Sequence, residues 1–430
     1  MKRICVILFL CFLLLPGSMK GQEKITLAQC YEWARANYPQ IRQYGLIGQT
    51  EQYNLSNAVK GWLPQVTVNA KATYQSDVTQ LPFDADKLSA VMPGLEIPTL
   101  SKDQYQVVAE LNQNIWDGGT IHTSRQLTKA QAIADREQLE SDLYTLNDRV
   151  NQLYFGCLLQ EELIRQNVLL QKELQINIDR ITAMMANGVA NLSDCESMEV
   201  ELLNARQKEI ELKASRVAFG RMLSTMIGKP YDPNRILEVP NVPGNPLSGE
   251  INRPELKALD AKSYLLELQN KQITSGLMPR IGAFVQGGYG RPGLNMLEDS
   301  FDPFYIAGVR LSWNMGKLYT LKNDRRKVAT TLQQVEVQRE TFLFNTSLQL
   351  MQQNTEIQKI SDLMKADDEI IRLRTSIKKA AEVKLENGVI SVTDLIREIN
   401  AEDMAKQTAA VHRIQHLNAV YNYMYTTNNE

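Results

Sequence analysis

Four stretches of the chain alternate apolar and polar residues. In the first, Val66, Val68, Ala70, Ala72 and Tyr74 alternate with Gln65, Thr67, Asn69, Lys71, Thr73 and Gln75. In the second, Tyr105, Val107, Ala109 and Leu111 fall opposite Gln104, Gln106, Glu110 and Asn112. The third sets Ile281, Ala283, Val285 and Tyr289 against Arg280 and Gln286. The fourth sets Tyr305, Ala307, Val309, Leu311 and Trp313 against Gly308, Arg310 and Ser312. A period of two sends successive side chains to opposite faces of a strand. Strands are expected at about 65–76, 103–116, 280–290 and 304–313, each near the length of a membrane β-barrel strand. One position breaks the phase: Trp116 is out of step with Leu111, so the second strand is expected to bulge or to end at Ile115.

The aromatic residues mark the strand ends. Trp62, Trp116 and Trp313 lie at the ends next to helical sequence, and Tyr74, Tyr105, Tyr289 and Tyr305 at the far ends. Trp62 to Tyr74 is roughly 30 Å along a tilted strand, close to the ~25 Å apolar band between the aromatic girdles of a membrane barrel. A soluble, half-buried sheet with aromatic margins is the alternative.

Elsewhere the period is helical. Proline and glycine are absent from about Thr120 to Asn187, except for Gly156, and from about Lys317 to Asn387. Either stretch as one helix would be about 100 Å long at 1.5 Å per residue. Leu139, Leu143, Leu146, Val150, Leu153 and Cys157 alternate spacings of four and three, and Leu350, Ile357, Met364 and Ile371 recur every seven. This is coiled-coil seam periodicity. Thr26 and Gln29 form a capping box for a short helix, and Pro39 starts a helix expected to run to about Lys60.

The pattern occurs twice. Asn37-Tyr38-Pro39 returns as Asn252-Arg253-Pro254, and Gly61-Trp62-Leu63-Pro64 as Gly276-Leu277-Met278-Pro279, both prolines displaced by 215 residues. Asn187-Gly188-Val189 returns as Asn387-Gly388-Val389, and Asp194 as Asp394. Each half therefore builds the same unit: helix, two strands, very long helix, tight turn, long helix. The first repeat is expected over 22–228 and the second over 252–430. A proline-rich linker, 229–251, crosses the outside of the bundle between them. The inter-strand stretch Asp77–Ser101, with three prolines, reads as a long surface loop.

Residues 1–21 read as a secretory signal: Lys2 and Arg3 precede the apolar run Ile4–Leu15, which is too short to span a membrane as a helix. Removing them takes Lys2, Arg3 and Lys20 and no acid, moving the formal net charge from −2 to −5. Nothing in that balance suggests a nucleic-acid partner. Cys30, Cys157 and Cys195 are widely spaced, without a zinc or disulfide pattern, and read as small buried hydrophobes. His412 and His416 are four apart, but Arg413 stands where H-E-x-x-H needs its Glu. No nucleophile elbow, phosphate loop or dinucleotide fingerprint occurs. The expectation is no enzyme, no cofactor and no metal.

The doubled N-x-P start resembles the TolC family of bacterial outer-membrane efflux proteins. So do the strand pairs ending in Trp116-Asp117-Gly118-Gly119 and Trp313-Asn314-Met315-Gly316, and the paired tips Gly188–Asp194 and Gly388–Asp394. The resemblance covers almost all of the chain beyond the signal. It implies a mainly α-helical fold with a membrane β-barrel: a homotrimer whose protomers each give four strands to one 12-stranded barrel, continued by a periplasmic helical tunnel. It also implies an outer-membrane exit duct of a tripartite efflux or type I secretion system, fed by a periplasmic adaptor (membrane fusion protein) and an inner-membrane pump. The residues independently require several chains, since four strands cannot close a barrel and an open edge in lipid leaves backbone groups unpaired. Strand count alone does not choose the number of chains.

By the same resemblance Gly188, Val189, Ala190, Gly388, Val389 and Ile390 dock the adaptor. Asp394 falls where the family often narrows the entrance with carboxylates, with Asp194 as its counterpart in the first tip. The second aspartate of that pattern is replaced by Arg397, three residues from Asp394 and able to pair with it. The expectation is a weaker acidic constriction. The tips also satisfy helix-turn chemistry alone: Gly188 and Gly388 suit a left-handed stop, and Asn191 with Asp194, or Ser391 with Asp394, suits a cap. The other function class is a secreted coiled-coil scaffold or adhesin without channel activity.

Overall fold

The computed structural model describes residues 24–79, 100–242 and 250–428. The signal sequence, most of the expected first-hairpin loop, and Pro243 and Pro246 of the linker lie outside the described residues. Eleven elements carry the architecture: α1 (Leu27–Asn37), α2 (Gln43–Lys60), β1 (Gln65–Tyr74), β2 (Asp103–Trp116), α3 (Thr120–Ala186), α4 (Leu192–Ile227), α5 (Pro254–Ser275), β3 (Arg280–Arg291), β4 (Asp302–Ser312), α6 (Leu318–Glu386) and α7 (Val392–Thr427). A single 3₁₀ turn over Pro39–Arg42 precedes α2, so proline opens a turn there rather than the helix itself. α3 runs for 67 residues and α6 for 69.

The chain forms two compact units. One comprises Gln43–Leu139 and Glu255–Thr341 and holds an antiparallel sheet of order β1-β2-β3-β4. Its strands meet helices through sharp turns. Gly118 has φ +69, and a Cβ there would lie 2.5 Å from the Met278 Cβ, so only glycine fits. Asp117 closes the same turn by accepting hydrogen bonds from the Gly119 and Ile121 N–H groups.

The other unit comprises the described residues to Arg42, Glu140–Pro254 and the chain from Phe342. Here α1 buries Leu27, Cys30 and Ala34 against Val150, Tyr154, Cys157 and Leu158 of α3 and Leu223 and Ile227 of α4. The linker departs from a purely external path. Ile25 pairs with it as a two-residue parallel bridge, and Leu237 enters the core between them. The Tyr154 hydroxyl lies 2.8 Å from the Ile25 carbonyl and 2.7 Å from that of Glu238, anchoring both segments to α3.

This unit also explains the doubled asparagine. The Asn37 side chain donates to the Thr225 and Met226 carbonyls at the end of α4, where α-helices leave acceptors unpaired. In the second half the Asn252 N–H donates to the Thr427 carbonyl at the end of α7, and the Asn428 amide returns a bond to the Asn252 carbonyl. Arg253 follows, buried against the stacked rings of Tyr144 and Tyr425, 4.9 and 4.8 Å from their centres. Each N-x-P motif thus ties the start of one segment to the end of a long helix.

Candidate channel surface and helical tips

Register decides what the sheet can do. β1 pairs Val66, Val68, Ala70 and Ala72 with Leu111, Ala109, Val107 and Tyr105. β2 pairs Leu111 and Val107 with Val285 and Tyr289 of β3, and β3 pairs Ile281, Ala283, Val285 and Gly287 with Leu311, Val309, Ala307 and Tyr305 of β4. The apolar positions of all four strands therefore share one face, and that face is bare: Val68, Val309 and Leu311 are 68 %, 70 % and 67 % exposed. A contiguous apolar surface of this kind marks a membrane or protein partner.

The phase defect resolves as a bulge. The β2–β3 register shifts between Asn114 and Trp116, skipping Ile115, and Trp116 pairs with Ile281. The extra residue returns Trp116 to the apolar face. Trp62, Trp116 and Trp313 stand along one edge of the sheet, and Tyr74, Tyr105, Tyr289 and Tyr305 toward the other, all exposed. Trp313 donates its indole N–H to the Leu277 carbonyl at 2.9 Å, leaving the ring outward.

The second face is mostly polar but holds residues that periodicity missed. Phe284 covers Gly308, and Phe304 covers Gly288 so closely that a Cβ has no room there. Arg310 lies 4.6 Å from the Phe284 ring centre and 3.3 Å from the Glu110 carboxylate. The aromatic residues repair strand glycines by covering them. In sequence, Phe284 sits within the run Ile281–Val285, which hides the alternation.

The tips are built by capping. Gly188 and Gly388 take φ +74 and +66, ending α3 and α6. Asn191 and Ser391 begin α4 and α7 with reciprocal capping boxes to Asp194 and Asp394. Both aspartates are thus engaged at helix N-termini, where a negative charge is favoured. Asp394 accepts from the Ser391 N–H and hydroxyl and lies 3.5 Å from Arg397, and these contacts hold its carboxyl below the ordinary range. Val189 and Val389 are exposed, while Ala190 and Ile390 lean on the core behind the tips. That core joins Leu174, Ile178, Ile181, Met198 and Leu202 of the first helical hairpin to Leu385, Leu395 and Ile399 of the second.

Above the tips the two hairpins share a charged seam. The seven-residue repeat Leu350, Ile357, Met364, Ile371 continues to Lys378 and Leu385. Lys378 is buried, pairs with Glu173 of α3, and lies 2.7 Å from Glu402 of α7. Glu402 also accepts from Thr375 and Lys406. Burial opposes the Lys378 charge, but the two carboxylates overcome it and raise its pKa. Beside it, burial pushes the Asp403 carboxyl up to about 6. At another seam position Asp367 bonds His412 at 2.8 Å.

Other helix stripes have no partner within the described chain. Leu169 and Ile176 on α3, Leu203 and Ile210 on α4, and Leu363, Ile370 and Ile377 on α6 repeat every seven and are exposed. A second seam beside the packed one is what a helix needs to touch two neighbours.

Cys30, Cys157 and Cys195 are buried free thiols, the first two pushed up to about 12 by burial. Among the described residues no helix is long and apolar enough to cross a membrane, and no group of three acidic, histidine or cysteine side chains is placed to hold a metal.

The family model described as outer membrane efflux protein matches residues 30–229. The comparison with curated proteins gives no match. Among solved structures, the outer membrane protein VceC of Vibrio cholerae aligns with a TM-score of 0.66 at 11 % identity, over 93 % of this chain and 95 % of that one. The CmeC outer membrane channel of Campylobacter jejuni aligns at 0.63 and 11 % identity, over 96 % and 90 %. The open state of the MtrE outer membrane channel of Neisseria gonorrhoeae aligns at 0.63 and 13 % identity, over 93 % and 88 %. The matched family model and the aligned folds are those of outer-membrane channel proteins. The chain thus matches the outer membrane efflux protein family over residues 30–229 and shares its fold with these outer-membrane channels over more than nine-tenths of its length.

Proposed function

We propose that three copies of the chain close a twelve-stranded barrel and form a passive exit duct for an efflux system, with the helical part in the periplasm. The observation that carries this reading is the sheet: one exposed face that is apolar along most of all four strands, tryptophan and tyrosine at its opposite margins, and open edges at β1 and β4. In lipid those edges must pair, and only further strands from other copies can pair them. Three is the copy number of the family. The unpartnered seams on α3, α4 and α6 supply helical contacts between copies.

The duct does no chemistry. It offers a polar path through the outer membrane, and the driving energy comes from an inner-membrane pump joined through a periplasmic adaptor. The tips, with Gly188, Val189, Ala190, Gly388, Val389 and Ile390, present rigid knobs for that adaptor. Asp394, with Asp194, narrows the entrance, and Arg397 offsets part of its charge. Three copies of an ionised carboxylate at a narrow mouth concentrate negative potential.

The test is single-channel conductance of the purified protein in planar bilayers. The wild type should give discrete steps, and Asp394→Asn and Arg397→Gln should each raise the conductance. Arg397→Gln leaves the capping box intact, so its effect does not depend on tip folding. Unchanged conductance in both variants would overturn the constriction, and no steps from folded protein would overturn the duct.

A further inference from the structure

The aromatic margin of the apolar face continues beyond the strands. Phe301, just before β4, stacks on Tyr105 at 6.3 Å and on Tyr289 at 5.7 Å between ring centres. Tyr105 and Tyr289 belong to β2 and β3, the two inner strands, and both stand on the apolar face. Phe301 therefore packs on that face away from the edges where copies join. Arg291 completes the cluster, 5.7 Å from the Phe301 ring centre and paired with Asp299. The intervening loop, residues 292–300, exposes Leu294, Met296 and Leu297 by 56 %, 59 % and 51 %. Scattered exposed apolar residues need no explanation, but three within four positions beside an apolar face do.

We propose that the β3–β4 loop lies in the outer interface of the membrane, with Leu294, Met296, Leu297 and Phe301 among the acyl chains just below the lipid headgroups. The proposal rests on the reading of the apolar face as lipid-facing. Lipid, rather than a second copy, is the occupant because Phe301 joins the loop to the middle of that face and not to the β1 or β4 edge. Charge sets the depth. Asp299 is paired with Arg291, but among the described residues the Glu298 carboxylate bonds only the neutral Asn295 amide. A carboxylate there is tolerated at the interface and not in the hydrocarbon core. The loop is then a second anchor above the tyrosines, built from aliphatic side chains.

Site-specific fluorescence tests this. Cys30, Cys157 and Cys195 are buried in the folded protein, so Leu297→Cys and Ala307→Cys can each be labelled with an environment-sensitive fluorophore, and the unsubstituted protein measures background. Each labelled protein is reconstituted in phospholipid vesicles carrying nitroxide either near the headgroup or deep in the acyl chain. Ala307, at the middle of β4 on the apolar face, is the control. The expected result is loss of emission at both sites, stronger at position 297 with the shallow nitroxide and at 307 with the deep one. Quenching at 307 with none at 297 overturns this proposal alone, including the case where a second copy covers the loop. No quenching at either site overturns the lipid-facing sheet itself.

Discussion

Val68→Arg should remove the protein from the outer membrane, while Thr67→Arg, one residue away, should leave assembly intact. The two positions differ only in the face they occupy. Val68 pairs with Ala109 on the exposed apolar face. Thr67 pairs with Glu110 on the polar face, where an arginine meets a carboxylate. A lipid-facing arginine near the bilayer midplane costs about 2–4 kcal/mol. Each barrel would carry three copies, so the penalty reaches roughly 6–12 kcal/mol per assembly. The measurement is the amount of folded, trimeric protein in the outer-membrane fraction after a carbonate wash. Equal recovery of both variants, or equal loss of both, contradicts the assignment of faces.

The second large effect is expected in the helical unit. Lys378→Met should lower its stability by about 3–5 kcal/mol, the usual result of removing one partner from a buried charge pair. Glu402 is nearly inaccessible, its side chain 2 % exposed, and Lys378 lies between it and Glu173. Without the ammonium, Glu402 keeps Thr375 and Lys406 but loses its buried cation, and Glu173 faces it directly. The triple variant Lys378→Met, Glu173→Gln, Glu402→Gln should recover much of the loss, because replacing a whole buried ionic group is far less costly than breaking it. Thermal unfolding of the detergent-solubilised full chain, followed by circular dichroism, checks both. A single variant as stable as the wild type, or a triple variant less stable than the single one, contradicts this account. The position also has a structural logic. A lysine at a seam position is satisfied only when α3 and α7 present their carboxylates at the same level, so it fixes the register of the two hairpins.

The strands were legible because period two survives in sequence: Val66 to Tyr74 and Tyr105 to Leu111 announce their shared face before any pairing is known. The seam Leu139 to Cys157 was legible for the same reason, and Leu139, Leu143, Leu146, Val150 and Cys157 are buried. What local pattern cannot carry is the identity of a distant partner. Nothing near Lys378 in sequence marks its buried role, since Glu173 is 205 residues away. Nor does the N-x-P motif mark Arg253, because its rings come from the distant Tyr144 and Tyr425. The Trp116 defect was visible, but choosing between a bulge and an early strand end needed the register with Ile281. The coverage of Gly288 and Gly308 by Phe304 and Phe284 was hidden until β3 and β4 were aligned. The second seam through Leu363, Ile370 and Ile377 was written in the sequence at the same spacing as the first. It became distinct only when the structure buried one and left the other bare.

The most direct test of the whole account is a cryo-EM map of the full chain in lipid nanodiscs, read for the number of strands that enclose the pore and for the face they turn to lipid. The account predicts twelve strands from three copies, β4 of each paired with β1 of the next, and Val68, Val107, Val285 and Val309 against the acyl chains. A lone subunit with its sheet open, or a closed assembly with those valines facing the pore, would contradict it.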